Sequence, residues 1–283
     1  MTPPVPSPIR LGLIGDNIAR SRSPALHRIA GRLAGLQVSY DLFIPPDLGA
    51  EFEAVFAMCR AEGLRGINVT YPYKERAVAM VTVDDPATRR IGAVNTVVFD
   101  GDIARGFNTD CSGFIAAYRH RLGDAPPGRV AIVGAGGVGK AVAHGLVALG
   151  ASTILLVDRD PDKAAALAAE LNGEGVETGV VDTVEQAAST ADGIVNCTPL
   201  GMVGYPGSAV PAGLLPGRRW AFDAVYTPVE TQFKQEAEAA DLAVISGYEL
   251  FFHQGVHAFE IFTGRPPADP LLLRRMLADD LDR

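Results

Sequence analysis

RVAIVGAGGVGKAVAHGLVALGASTILLVDRD, residues 129–160, decides how the chain folds. Arg129–Gly134 is an apolar run of strand length, and a turn of glycines follows it. Lys140–Leu149 carries helical patterning, and Ser152–Asp158 is a second apolar run that ends in an acid. A strand, a tight turn, a helix and another strand make a βαβ unit, the building block of a parallel sheet. The turn, GAGGVG (134–139), matches G-x-G-x-x-G through Gly134, Gly136 and Gly139. Gly134 permits the tight turn, Gly136 lets backbone N–H groups approach a pyrophosphate, and Gly139 lets helix and strand pack closely. A Gly-rich turn without a ligand would also satisfy the hexapeptide. The strand before it, the helix after it and Asp158 at the next strand tip complete a dinucleotide fingerprint, with Ala135, Gly137 and Val138 filling out the turn.

Asp158 bears on which dinucleotide is held. A carboxylate there accepts hydrogen bonds from the adenosine ribose hydroxyls and repels a 2′-phosphate. Arg159 points both ways, because an arginine beside that site can hold the phosphate of NADP or lie along the adenine face. Asp160 adds a second negative charge, so Asp158-Arg159-Asp160 favours NAD over NADP.

Outward from this unit, Asp124-Ala-Pro-Pro-Gly128 is the clearest boundary in the chain. Before it, strands are expected at 10–15, 38–44 and 66–70, with helices at 24–35 and 48–62 between them. The segment 93–110 reads as a hairpin turning at Asp100-Gly101-Asp102, and 112–122 as a helix. In GINVT (66–70), Ile67 and Val69 alternate with Asn68 and Thr70, as a half-buried strand should. Beyond the βαβ unit, strands are expected at 193–198, 220–226 and 242–247, then helices at 248–263 and 269–281. Phe251, Phe252, Phe259 and Phe262 fall at helical spacing and read as core. His27 and His257 read as packed helix residues. Strands alternating with helices predict an α/β fold in two domains, the last helices packing back on the first.

The bulk properties narrow the function. Net charge is −8 with no basic stripe, which argues against nucleic acid, since phosphate binding needs clustered Lys and Arg. The three cysteines, Cys59, Cys111 and Cys197, are odd in number and widely spaced. They form no disulfide framework and no metal motif, as expected in the cytoplasm. The lead MTPPVPSPIR reads as short and disordered, not as a signal peptide. The longest uncharged run, 141–157, is broken by His144, Gly145 and Gly150, so no membrane span is expected.

The remaining polar stretches occur in a telling order: SRSPALH (21–27), GINVTYPYK (66–74), GAVNT (92–96), GFNTD (106–110), GAGGVG (134–139), NCTPLGM (196–202), VYTPVET (225–231) and HQGVHAFEIFTG (253–264). Together they resemble the shikimate/quinate dehydrogenase family over nearly the whole chain. The resemblance implies an α/β substrate domain with a mostly parallel sheet over 1–110, completed by C-terminal helices 249–283. A Rossmann NAD(P)-binding domain then occupies 111–248. It implies hydride transfer between a nicotinamide and a ring alcohol of shikimate or quinate, by a monomer or homodimer.

Roles follow position by position. Lys74 and Asp110 match the family's catalytic pair, the lysine exchanging a proton with the ring alcohol and the aspartate orienting it. Ser21 and Ser23 match donors to the substrate carboxylate, though Ser23 at N-cap and Pro24 at N1 also read as helix capping. Asn68, Thr70, Asn95 and Gln254 match ring-hydroxyl partners, and Tyr226 would reach the carboxylate. Thr198 and Met202, with Val225 and Gly247, match the nicotinamide side. No metal is called for, and no His/Cys/Asp cluster has ligand spacing. The chain departs from common biosynthetic members, which carry Asn-Arg-Thr at 158–160, His at Arg20 and Asn at Arg28. These departures resemble the NAD-using branch that acts on quinate as well as shikimate, whereas serine at Ser23 leans toward shikimate. An NADP-dependent biosynthetic enzyme, an aminoshikimate dehydrogenase and a non-catalytic NAD-binding sensor are the rival readings. The sensor would be expected to lose Lys74 or Asp110.

Overall fold

The computed structural model describes residues 8–279. Most of the lead at 1–10, and the end of the helix expected at 269–281, lie outside the described residues. The chain divides into two compact units. One holds the described residues up to Thr109 with those from Gly255 onward, and the other is Asp110–Gln254.

The first unit opens with β1 (Ile9–Ile14), α1 (Ser23–Leu33), β2 (Val38–Phe43), α2 (Pro45–Leu48), α3 (Phe52–Ala61) and β3 (Gly66–Val69). It continues with α4 (Pro86–Ile91), β4 (Thr96–Asp100) and β5 (Ile103–Phe107). The sheet order is β2-β1-β3-β4-β5. Its first three strands are parallel, and β3, β4 and β5 pair antiparallel. The helix expected at 48–62 starts only at Phe52, because left-handed Gly49 ends a separate α2 before it and Glu51 is extended. α4 had no apolar periodicity to announce it, but it carries its own punctuation. Asp85 caps it by accepting the Ala87 and Thr88 N–H groups, and left-handed Gly92 closes it.

Period-two alternation sorts β3 as expected, but neither face is wet, and all four residues are buried. Ile67 and Val69 join Phe52, Val55, Phe56 and Cys59 of α3 in one core layer. On the other face, Leu11, Leu13 and Tyr40 pack with Ala258 and Phe262. Asn68 points to that second face, which is why it is 7% exposed and hydrogen-bonded instead of wet.

The second unit begins with α5 (Thr109–Leu122), β6 (Arg129–Val133), α6 (Gly137–Ala148), β7 (Thr153–Val157), α7 (Pro161–Leu171) and β8 (Glu177–Val180). Then come α8 (Val184–Ala188), β9 (Gly193–Asn196), β10 (Trp220–Asp223), α9 (Gln232–Ala239) and β11 (Ala243–Ile245). The sheet is parallel throughout, in the order β11-β10-β9-β6-β7-β8. The chain therefore starts in the middle of the sheet and reverses direction beside β6, the doubly wound pattern of a Rossmann domain. One face is filled by Phe114, Tyr118, Leu146, Trp220 and Phe222, the other by Ala131, Ile194, Ala221, Phe233 and Leu242. α10 (Gly247–Thr263) crosses the division between the units, and α11 (Pro270–Asp279) packs against α1. Phe251, Phe252, Phe259 and Phe262 are all buried, as their spacing predicted. Among the described residues no helix is long and apolar enough to cross a membrane.

His27 is packed in the first unit, as expected of it. Its ring stacks on Tyr40 at 4.9 Å and lies 5.6 Å from Phe262. Burial pushes its imidazole down to about 3 from an ordinary 6.5, against a hydrogen bond to Asn68 that works the other way. The unfolded chain takes up this proton near pH 6.5, and the folded one does so only near pH 3. His27 therefore costs no stability above pH 6.5, and stability falls as pH drops through the window between the two values. The urea midpoint of wild-type protein should decline more steeply from pH 7 to pH 4 than that of His27→Gln. Parallel declines would show that His27 is not the group responsible.

Candidate active site

In the first unit the register brings one edge of the sheet to the candidate residues. Ile14 pairs with Val69 and Asn68 with Thr96, and Thr96 in turn pairs with Phe107. The ends of β1, β3 and β5 and the start of β4 therefore line up. Ser21 and Ser23 follow β1, and Thr70 and Lys74 follow β3. Asn95 precedes β4, and Asp110 comes shortly after β5 in the first turn of α5. The second hairpin arm thus stops at Phe107, short of the expected 110, and α5 starts before Ser112. The cause is a side chain: Asn95 Oδ1 accepts the Thr109 N–H at 2.7 Å and so satisfies the helix start.

Ser23 is not the cap of α1. It is the first helical residue, and Arg22 holds the cap position without a side-chain cap bond. Ser21 Oγ instead accepts the Ser23 N–H at 3.3 Å and donates to Ser23 Oγ at 3.2 Å. The paired hydroxyls therefore do not close the helix with Ser23, and Ser21 does the local work.

Asn68 is engaged within the protein. Its Oδ1 accepts from Tyr40 Oη at 2.8 Å, and its Nδ2 donates to Asn95 O at 3.2 Å and Thr96 Oγ1 at 3.0 Å. With its amide used in this way, Asn68 ties strands together. Asn95 is 2% exposed and also partly committed, its Nδ2 donating to Thr109 Oγ1 at 3.0 Å. One amide hydrogen remains among the described partners.

The loop after β3 is held at both ends. Thr70 N–H donates to Ile14 O and Val94 N–H to Lys74 O, both at 2.9 Å. Tyr73 stacks on Phe52 at 4.8 Å, and its hydroxyl donates to Asp16 at the start of the serine loop. Asp16 and Tyr73 escaped the sequence reading, although an acid directly after an apolar strand was a signal. Lys74 is half-buried and Asp110 is 5% exposed. The latter exposure is low for an aspartate.

In the second unit the glycine turn lies at the carboxyl end of β6, beside the point where strand order reverses. A Cβ on Gly134, whose φ is 103°, would lie 2.8 Å from Cys197 C, so the turn presses on the end of β9. One on Gly139 would lie 2.0 Å from Gly134 O, which excludes any side chain there. At Gly136 a Cβ would meet nothing within 4 Å. That open space above the turn is the cradle a pyrophosphate needs, at the start of α6, and the residues fit a dinucleotide. Ala135, Gly137 and Val138 line the same turn, and α6 begins at Gly137, three residues earlier than expected. Asp158 Oδ2 accepts the Ala135 N–H at 2.7 Å and its Oδ1 the Asp160 N–H at 2.9 Å. Arg159 beside it is exposed.

The residues expected on the nicotinamide side follow the carboxyl ends of β9, β10 and β11. Thr198 donates through N–H and Oγ1 to Asn196 Oδ1, at 2.9 and 2.7 Å. Met202 is half-buried in the following loop. Val225 is buried, and a Cβ on Gly247 would lie 2.4 Å from its carbonyl oxygen, so glycine there serves packing. Tyr226 stacks on Phe251 at 5.0 Å, and Gln254 Nε2 donates to Phe251 O at 2.9 Å. Asn196, Asp223 and Thr231 tie these loops from beneath and were not singled out from sequence. For Asn196 and Asp223 the signal was a polar side chain closing an otherwise apolar strand, and for Thr231 its place as the N-cap of α9. No group of His, Cys, Asp or Glu among the described residues is placed to hold a metal ion.

Comparison with known proteins agrees with both halves. Residues 13–97 match the shikimate dehydrogenase substrate binding domain, and 129–207 match a model described as NADP oxidoreductase, coenzyme F420-dependent. A shikimate dehydrogenase (NADP(+)) of Streptomyces avermitilis is 43% identical over 95% of this chain and 94% of its own. A quinate/shikimate dehydrogenase (NAD(+)) of Corynebacterium efficiens is 38% identical over 92% and 94%. The solved quinate dehydrogenase from Corynebacterium glutamicum in complex with NAD superposes with a TM-score of 0.87 at 35% identity, covering 96% of this chain and 99% of that one. The chain therefore belongs to the shikimate/quinate dehydrogenase family, NAD(P)-dependent oxidoreductases that act on a CH–OH group.

Proposed function

We propose that the chain catalyses the reversible NAD-dependent oxidation of shikimate to 3-dehydroshikimate, with quinate as a second substrate. The observation that carries the cofactor choice is the double tether of Asp158. Both carboxylate oxygens are held by backbone N–H groups of the glycine turn and of Asp160. The carboxylate is therefore not free to swing aside for a 2′-phosphate, while each oxygen keeps a lone pair for a ribose hydroxyl. The NAD-named Corynebacterium relatives support the same choice. The NADP-named Streptomyces relative and the exposed Arg159 support the other.

On the substrate side, Ser21 and Ser23 offer hydroxyls to the ring carboxylate, with Tyr226 as a further donor. Thr70, the remaining amide hydrogen of Asn95 and Gln254 offer partners to the ring hydroxyls. Bound nicotinamide supplies the hydride acceptor. Lys74 and Asp110 act on the ring alcohol as a pair, taking up its proton as the C–H bond gives up its hydride and returning it in reverse. The carbon loses a hydride, which carries the two electrons, and the oxygen loses a proton, so a C=O remains. Asp110 keeps the lysine oriented through the exchange. The fixed backbone on either side of Lys74 supports this role, since a proton carrier works only from a defined position.

Three measurements test the reading. Lys74→Ala should lower kcat by about a hundredfold or more while NAD affinity stays unchanged; retained turnover would remove the lysine from the chemistry. In a two-by-two assay of shikimate or quinate against NAD or NADP, kcat/KM with NAD should exceed that with NADP by about tenfold or more. Asp158→Asn should erase most of that ratio, because a like charge near a phosphate costs ~1–4 kcal/mol at partly exposed sites. Equal or better turnover of the wild type with NADP would overturn the cofactor choice. Gly136→Ala adds one methyl to open space, so the thermal midpoint should hold while NAD affinity drops by about tenfold. Unchanged affinity would mean that the cradle is not where the pyrophosphate lies.

A further inference from the structure

Asp223 is the most deeply buried carboxylate for which the chemistry above has no use. It closes β10 at 1% exposure, and among the described residues no cation pairs with it. Burying a carboxylate without a cation is costly, and burial pushes this one up. Three donors oppose that cost. Asn196 Nδ2 donates to Oδ1 at 3.0 Å, the Val225 N–H donates to Oδ1 at 3.1 Å, and Thr231 Oγ1 donates to Oδ2.

The partners are committed in turn. Thr231 caps α9 by accepting the Lys234 N–H at 3.1 Å, so its one hydroxyl hydrogen is left for Asp223. A carboxylate that only accepts forces the Asn196 amide to face it with nitrogen. That choice turns Asn196 Oδ1 toward Thr198, where it takes both the N–H and the hydroxyl hydrogen. Thr198 Oγ1 is then left to accept, and it receives the Leu200 N–H at 3.2 Å. The loop that follows is joined to its neighbour where the Val203 N–H donates to Thr227 O at 3.1 Å. Two loops, one carrying Thr198 and Met202 and the other carrying Val225, thus hang from one carboxylate.

We propose that Asp223 is the positioning residue for the nicotinamide half of the cofactor, acting through Asn196, Thr198 and Val225 without touching the ligand. The inference rests on the reading of Thr198 and Val225 as nicotinamide-side contacts. The adenosine half depends on different elements, the glycine turn after β6 and Asp158 after β7, and neither bonds to Asp223.

The two halves can be separated by calorimetric titration with NAD and with ADP-ribose, which lacks the nicotinamide. Asp223→Asn keeps the shape and replaces one acceptor by a donor facing other donors. It should weaken NAD binding by about tenfold and leave ADP-ribose affinity within about twofold of wild type. Thr231→Val, which removes one of the three donors, should shift NAD in the same direction, and Thr231→Ser, which keeps the hydroxyl, should restore it. Should Asp223→Asn fail to fold, the Thr231 pair decides the question by itself. Equal weakening of both ligands in a folded variant would reduce Asp223 to a general structural role and overturn the proposal. So would unchanged NAD affinity. Failure of wild-type protein to bind ADP-ribose would sink the reading of the glycine turn, a separate failure that takes this proposal with it.

Discussion

Parallel strands end together, and past that shared edge each backbone amide and carbonyl loses its ladder partner. Buried groups of this kind must be paired again or they cost as much as a broken hydrogen bond. Both units meet this constraint with the same device, an asparagine at the sheet edge whose amide is used in full. In the first, Asn68 joins Tyr40, Asn95 and Thr96, and Asn95 in turn starts α5 through Thr109. In the second, Asn196 joins Asp223, Thr198 and the Leu200 carbonyl. The loops that emerge are consequently fixed, and a fixed loop is what a binding residue requires.

Some family positions are therefore legible by motif while their partners within the fold are not. In NVT at 68–70 and NT at 95–96 much of the polarity is turned inward. A sequence shows that Asn68 is polar inside a strand. It does not show that Tyr40, twenty-eight residues away in sequence, takes the side-chain oxygen. The βαβ unit was legible because its signals are local: apolar runs, glycines at fixed offsets and an acid at the strand tip. The start of α5 was not, because the group that satisfies it belongs to another strand. α2 and α4 were missed for a different reason. They are four and six residues long, too short for periodicity, and only their caps announce them.

The glycine turn divides its three glycines by what surrounds them. Gly134 and Gly139 face protein, Cys197 on one side and the Gly134 carbonyl on the other, so they are demanded by folding. Gly136 faces open space, so folding does not demand it. A position where glycine is unnecessary for the fold but present in the fingerprint is one where the ligand sets the requirement. At Gly247 the Val225 carbonyl likewise leaves no room for a side chain, so packing demands glycine there.

Charge is distributed on similar lines. Ion pairs such as Arg76–Glu53 and Lys234–Glu230 have at least one well-exposed partner, and pairs of that kind contribute little to stability. Asp158, Asp110 and Asp223 are held instead at the ends of strands or the start of a helix. Asp158 is bound by backbone N–H groups and Asp223 by two side-chain donors and one backbone donor. A carboxylate fixed by neutral donors has no adjacent cation to offset its charge, whereas one paired with lysine or arginine is partly cancelled. Such a carboxylate can discriminate between ligands of different charge, and it can dictate which way a neighbouring amide turns. Asp158 and Asp223 are carboxylates of this kind, each bound on both oxygens by N–H or O–H donors.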